Sequence, residues 1–225
     1  MLRYIISGGS VTDYVIHILL CLPIILLALS VHETAHGFVA YKLGDPTAKN
    51  FGRLTLNPAK HLDPVGFVCM LLVGFGWANP VPINTRRLRK PKRDMALTAA
   101  AGPVSNLLLA LIFTICYKLS VVLFPYIPIH GEAGLYAITL FFVFLQYGVI
   151  LNVNLAIFNM IPIPPFDGSR ILYVFLPTKW YFKVMKYERY IQIGLLVLLA
   201  TGILTPVLSF FTNRVVDLLF LICGL

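Results

Sequence analysis

Charge is scarce in this sequence. Among 225 residues there are nine Asp and Glu and 18 Lys and Arg, so 12% of the chain is charged while 59% is hydrophobic. Soluble domains carry about 25% charged and about 45–50% apolar residues. An ordinary water-soluble domain is therefore excluded, and the main solvent of this chain is lipid. Cysteine is scarce too: Cys21, Cys69, Cys116 and Cys223 all sit in apolar stretches, and no two are spaced as Cys-x-x-Cys. That excludes a thiolate metal site or disulfide framework and leaves four small buried hydrophobes. Internal repeats and low-complexity runs are absent as well. The net charge of +9 has no basic domain behind it. Lys and Arg lie in short loops between apolar runs, the pattern of a membrane protein whose basic loops meet anionic headgroups. No nucleic-acid partner is expected.

What the sequence does contain is long apolar runs. About 20 apolar residues in a helix cross a bilayer core. Tyr14 to Leu43 is the first such run, closed by the turn residues Gly44, Asp45 and Pro46. Met95 to Phe124 is the second, ended by Pro125 and Pro128; Leu135 to Ile161 is the third, broken by Pro162, Pro164 and Pro165. Tyr190 to Phe211 reads as a fourth, and Val215 to Leu225 as a tail too short to cross alone. The first run starts late and has no small-residue cleavage site, so a removable signal peptide is not expected. The loops at 44–61, 84–94 and 169–187 are all basic, which places them on the cytosolic side. Asp63 to Trp77 is apolar but has basic residues on both flanks, so a full crossing there would expel one basic loop. A segment that enters the membrane and returns costs less. Its irregular backbone must then be satisfied by protein or by a water-filled cavity. The expectation is an all-α polytopic membrane protein of about 4–6 transmembrane helices, with a re-entrant or hairpin segment near 64–84 lining a wet cavity. Residues 1–225 form a single integral-membrane domain on this reading.

The most informative residues interrupt the first run. Val31-His32-Glu33-Thr34-Ala35-His36-Gly37 contains His-Glu-x-x-His. Positions i and i+4 share one helix face, so His32 and His36 can bind one Zn²⁺ while Glu33 acts on water beside it. The chain has five His, and chance is a poor account of two of them bracketing a Glu at this spacing. Three ionisable side chains within five residues at membrane depth cost several kcal/mol unless compensated, and a divalent cation compensates them. The bland alternative is a polar face inside an inert bundle.

Catalytic zinc takes a third protein ligand and keeps a position open. No third His stands nearby; His17 reads as a packed or snorkelling residue. Asp45 lies nine residues past His36, about 13 Å further along a helix. Asp167 has the best context, because three prolines stop the preceding helix and Gly168 permits unusual dihedrals. A carboxylate on unwound chain at the end of a span can turn inward to a metal. Asp63, beside His61 and Pro64, stays a weaker alternative.

His-Glu-x-x-His in one span, followed far downstream by Asn159-Met160-Ile161-Pro162 and Asp167-Gly168, resembles the site-2 protease family of intramembrane zinc metallopeptidases. Gly102-Pro103-Val104-Ser105-Asn106 resembles that family's Gly-Pro-x-x-Asn motif on the intervening span. The similarity is strongest from Ser30 to Arg170, and the chain looks like the short prokaryotic type without PDZ or CBS domains. Pro165-Phe166 replaces the Asn-Pro that often precedes Asp-Gly in the family. The resemblance implies one Zn²⁺ per chain held by His32, His36 and Asp167, with Glu33 as general base and acid. It implies that Asn106 and Asn159 help hold the substrate backbone or the developing oxyanion. It also implies transmembrane protein or peptide substrates, regulated intramembrane proteolysis and a prokaryotic cell membrane. If the first helix ends near Leu43, His36 and His32 lie about 10 and 16 Å inside it. Asn106 lies about 16 Å inside a span that begins at Met95, so amide and metal can share one level. The basic side is nearer to His36, which puts the site nearer the cytosolic face. Two rival readings are a metal-binding transporter and an inactive membrane scaffold. The first lacks the inverted repeats many transporters carry, and the second gives Glu33 no purpose.

Overall fold

The computed structural model describes residues 10–73, 76, 78–177, 186–187, 190–195, 197–198 and 201–225. Among the described residues, four helices are long and apolar enough to cross a membrane. The first is α1, Val11–Lys42, whose start is capped by the Ser10 hydroxyl accepting from the Thr12 amide at 3.2 Å. Its far end closes as a Schellman motif. The Gly44 amide donates to Tyr41 O at 3.2 Å and the Asp45 amide to Ala40 O at 2.9 Å, with Gly44 at φ 111°. A one-turn helix, α2 (Thr47–Asn50), and a short 3-10 turn at Pro58–Lys60 carry the chain to α3, Pro64–Val73. Asp63, the weaker candidate ligand, has a structural duty here: its Oδ1 accepts the Gly66 amide at 2.7 Å, capping a helix that begins with proline.

The segment near 64–84 leaves and comes back. Leu62 and Ala78 form an antiparallel bridge, and the Asn79 amide donates to His61 O at 2.7 Å. Both ends therefore sit at one level, as a re-entrant hairpin requires. Residues 74, 75 and 77, and with them part of the expected cavity lining, lie outside the described residues.

Helix α4 (Pro91–Leu123) and helix α5 (Gly131–Asn159) are the second and third long helices. Helix α4 is central and packs on α1, α5, the one-and-a-half-turn helix α6 (Asp167–Leu172) and the C-terminal helix α7 (Thr205–Cys223). Ala110 of α4, Val149 and Val153 of α5 and Leu219 of α7 bury one apolar core among these helices. Outward faces carry exposed Leu19, Leu27, Leu108, Ile112 and Phe210. A surface of that kind is stable only against lipid. Among the described residues there is no β-strand beyond the isolated bridge.

The last span departs from the sequence reading. Tyr190–Phe211 was expected as one helix and Val215–Leu225 as a separate tail, but α7 runs from Thr205 to Cys223 through both. The expected span lies partly outside the described residues, and what is described is broken by a turn at 201–204 with Gly202 at φ 73°. The physical reason is that polar residues do not end a helix, whereas glycine in a left-handed turn does. Thr212 is absorbed by a 2.6 Å hydrogen bond to Asn154 Oδ1, and Arg214 lies over the Phe210 ring.

Candidate metal centre

Helix α4 crosses α1 at the His-Glu-x-x-His turn, and its Gly-Pro-x-x-Asn stretch explains how. Gly102 faces both imidazoles. A Cβ there would sit 2.5 Å from His32 Cε1 and 2.5 Å from His36 Cε1 and Nε2, so only glycine lets the two helices approach this closely. One turn to either side of Gly102, α4 holds each ring by its second nitrogen. His32 Nδ1 meets Asn106 Oδ1 at 2.6 Å, and His36 Nδ1 meets the Thr98 carbonyl at 2.7 Å. Pro103 lacks the amide that would bond the Ala99 carbonyl, in the turn whose neighbouring carbonyl serves His36.

These partners fix the tautomers. The Thr98 carbonyl can only accept. The Asn106 amide nitrogen donates to Ala28 O at 3.1 Å and to Asn152 Oδ1 at 3.2 Å, so its oxygen is the atom that faces His32. Asn152 is oriented in turn by donating to Gly148 O at 2.8 Å. Both Nδ1 atoms therefore carry a proton, and in the neutral rings both Nε2 atoms present lone pairs.

Asp167 arrives from the other side. Between α5 and α6 the chain folds back on itself; a Cβ on Gly168 would collide with Met160 O at 2.3 Å. The Phe166 ring packs edge-on against Phe158, at 4.3 Å between centroids, and the Ser169 hydroxyl donates to Phe166 O at 2.7 Å. The Asp167 carboxylate is thereby aimed at the two rings. Its Oδ2 lies 3.2 Å from His32 Nε2 and 3.2 Å from His36 Nε2, and the two Nε2 atoms are 3.0 Å apart.

With both rings neutral, three lone-pair atoms in mutual contact repel. Asp167 Oδ2 is buried without a hydrogen-bond donor, and among the described residues no Lys or Arg lies within ion-pair distance of Asp167 or Glu33. A cation resolves both problems. Donor atoms about 2.0 Å from a tetrahedral ion lie about 3.3 Å apart, close to the three separations found here. The donor set of two imidazoles and one carboxylate suits zinc and leaves a fourth corner of the tetrahedron for water or substrate. These side chains fit the ion.

Glu33, next to His32 on α1, is 9% exposed, and its Oε2 accepts the Val81 amide at 2.8 Å. The structure thus gathers His32, His36, Asp167, Glu33 and Asn106. Asn159 stands apart: its amide nitrogen donates to Leu155 O of its own helix at 2.9 Å, and among the described residues no hydrogen bond ties it to the triad. The sequence reading missed Asn152, the Thr98 carbonyl and the Val81 amide. Asn152 was visible as a polar residue in an apolar span, whereas backbone groups leave no trace in residue type.

Fold and donor set together define an integral-membrane metalloenzyme. The family model described as peptidase family M50 matches residues 119–204. The chain is 43% identical over 177 residues to "Putative zinc metalloprotease YwhC" of Bacillus subtilis (strain 168), covering 79% of this chain and 78% of that protein. It is 32% identical over 153 residues to Rip2 of Mycobacterium tuberculosis (strain ATCC 25618 / H37Rv), described in the same words, covering 65% of this chain and 53% of Rip2. It is 29% identical over 151 residues to MJ0611 of Methanocaldococcus jannaschii, also so described, covering 66% of this chain and 71% of that protein. No solved structure matches the chain significantly. The chain belongs to peptidase family M50, the site-2 protease family, and is a zinc metalloprotease.

Proposed function

We propose that this chain cuts peptide bonds within or beside membrane-spanning segments of other proteins, as a step of regulated intramembrane proteolysis. His32, His36 and Asp167 hold the zinc, and Glu33 is the general base and acid. The observation that carries this reading is the convergence of two imidazole nitrogens and a carboxylate oxygen inside a helical bundle, with a buried carboxylate next to them. When bound, zinc supplies a Lewis acid that polarises the scissile carbonyl and makes water a nucleophile near neutral pH. Glu33 takes the water's proton at its carboxylate and delivers it to the leaving amine. Asn106 and the Thr98 carbonyl keep both imidazoles in the metal-ready tautomer and orientation. We assign Asn106 this supporting duty because both hydrogens of its amide nitrogen and its contact with His32 are already taken up by protein.

A membrane-spanning helix hides its carbonyls in internal hydrogen bonds, so the substrate unwinds before attack. Its extended backbone would lie along the 64–84 hairpin, in the manner of an added strand. The amides of Asn79, Val81 and Asn84 are committed to His61, Glu33 and Asp45, so other backbone groups of the hairpin would offer the pairing edge. The basic loops at 44–61 and 84–94 support a site nearer the cytosolic face, with water reaching it from there. The bacterial and archaeal relatives support a prokaryotic cell membrane as its location.

The test is a cleavage map. Purified protein in phosphatidylethanolamine–phosphatidylglycerol vesicles receives a single-span peptide whose Leu-rich segment of about 20 residues carries a central Gly-Pro break. The expected result is chelator-sensitive cleavage at a bond inside the span, slower when the break is replaced by Leu-Leu. Metal flux across the vesicle without cleavage, or cuts confined to the peptide's aqueous flanks, would count against the reading.

A further inference from the structure

A short strap of chain holds Glu33. The stretch Asn79-Pro80-Val81-Pro82-Ile83-Asn84 crosses α1 beside the His-Glu-x-x-His turn. Prolines on both sides of Val81 have no amide hydrogen, so the Val81 N–H is the single backbone donor across 80–82, and Pro82 biases Val81 to extended backbone. That one donor lands on Glu33 Oε2 at 2.8 Å. The Val81 side chain is buried over Gly37, where a Cβ would meet Val81 Cγ1 at 3.1 Å and Leu54 Cδ2 at 2.7 Å.

Two residues outside the metal centre fix the strap at its ends. Arg53 Nη2 donates to Asn79 O at 2.6 Å and to Pro80 O at 3.2 Å. Asp45, fully buried, accepts the Asn84 amide on Oδ2 at 2.6 Å. Its Oδ1 accepts the Thr47 amide at 3.0 Å and the Thr47 hydroxyl. The Schellman turn that ends α1 sets Asp45 in place, so this clamp is fixed to the helix that carries Glu33, while Arg53 follows α2 and its amide donates to Ala48 O at 2.9 Å.

We propose that Asp45 and Arg53 are positioning residues for the reaction, because they clamp the Pro80-Val81-Pro82 strap so that its lone amide holds one oxygen of Glu33 and orients the other toward the reacting water. The inference rests on the reading of Glu33 as the base. An unclamped strap leaves Glu33 free to rotate, which slows proton transfer without removing the metal.

Asp45→Asn and Arg53→Gln are made in the full chain and assayed on the vesicle-borne single-span peptide, with zinc content, thermal stability and hydrogen exchange at the Val81 amide measured in parallel. Asparagine would set an amide NH₂ or a weaker neutral oxygen against the Asn84 N–H. The expected result is a fall in kcat of about tenfold or more, the scale of losing a hydrogen bond to a charged group. KM should stay within about threefold, zinc at one per chain, and the Val81 amide should lose its protection from exchange. Arg53→Lys, which keeps one cationic donor, should recover part of kcat. Should Asp45→Asn fail to fold, Arg53→Gln decides alone. Unchanged kcat in a folded variant, or a loss seen only as raised KM or missing zinc, overturns the proposal. Glu33→Gln separates the two readings. If it still cleaves, the assignment of the base fails; if it is inactive while the clamp variants are normal, only the clamp fails.

Discussion

Glu33→Gln is expected to keep one zinc per chain and to lose cleavage of the single-span peptide by about 10²–10⁴-fold, the usual contribution of general acid–base catalysis. Glutamine has the shape of glutamate, and its carbonyl oxygen can still accept the Val81 amide that Oε2 accepts at 2.8 Å. The strap and its packing on Gly37 therefore survive. The two imidazoles and Asp167 do not lean on Glu33 for their orientation; Asn106, the Thr98 carbonyl and the turn at Gly168 do that. What disappears is the capacity to take a proton from water and return one to the amine. Metal analysis beside a cleavage assay checks this directly. Zinc lost together with activity would mean that Glu33 serves the site's structure instead of its chemistry.

The second large effect is expected at Gly102→Ala. The added methyl would meet three imidazole atoms at 2.5 Å, closer than real contacts allow. The rings cannot swing clear, because the same helix that brings the methyl grips them through Asn106 and Thr98. Either α1 and α4 separate or the Nδ1 hydrogen bonds break, and both spread the donor atoms. Overpacking of this kind costs about 1–3 kcal/mol in stability. Disturbing the partners of ligating histidines costs about 10–100-fold in metal affinity. Competition against a graded chelator should show zinc affinity down by at least about tenfold, with cleavage lost at limiting zinc. Gly194→Ala is the matched control, since among the described residues its Cβ would meet nothing within 4 Å, and it should behave as wild type.

The metal centre was more legible in the sequence than the last part of the fold. His32 and His36 declare themselves by helix periodicity inside an apolar run, a local signal that tertiary context cannot hide. The expectation of a re-entrant hairpin rests on charge, because basic flanks on both sides of Asp63–Trp77 make a return cheaper than a crossing; the Leu62–Ala78 bridge brings the two ends together as a return needs. Two kinds of feature stayed out of reach. The boundary of α7 was misplaced because Thr212, Asn213 and Arg214 look like a break in hydropathy, yet Asn154 and Phe210 accommodate two of them inside one helix. The contacts that orient the site run through the backbone groups of Thr98 and Val81, and a peptide amide or carbonyl looks the same at every position. Asp45 illustrates the limit from another side. Distance along α1 removed it as a ligand, but only the folded chain shows it holding the strap over Glu33.

The central physical claim is that His32, His36 and Asp167 surround one zinc ion. X-ray absorption at the zinc edge of the purified protein tests it most directly. The account predicts one zinc per chain in a shell of nitrogen and oxygen at about 2.0–2.1 Å, with the outer-shell scattering of two imidazoles and no sulfur. A sulfur shell at about 2.3 Å, or protein that holds no zinc after reloading, would contradict it.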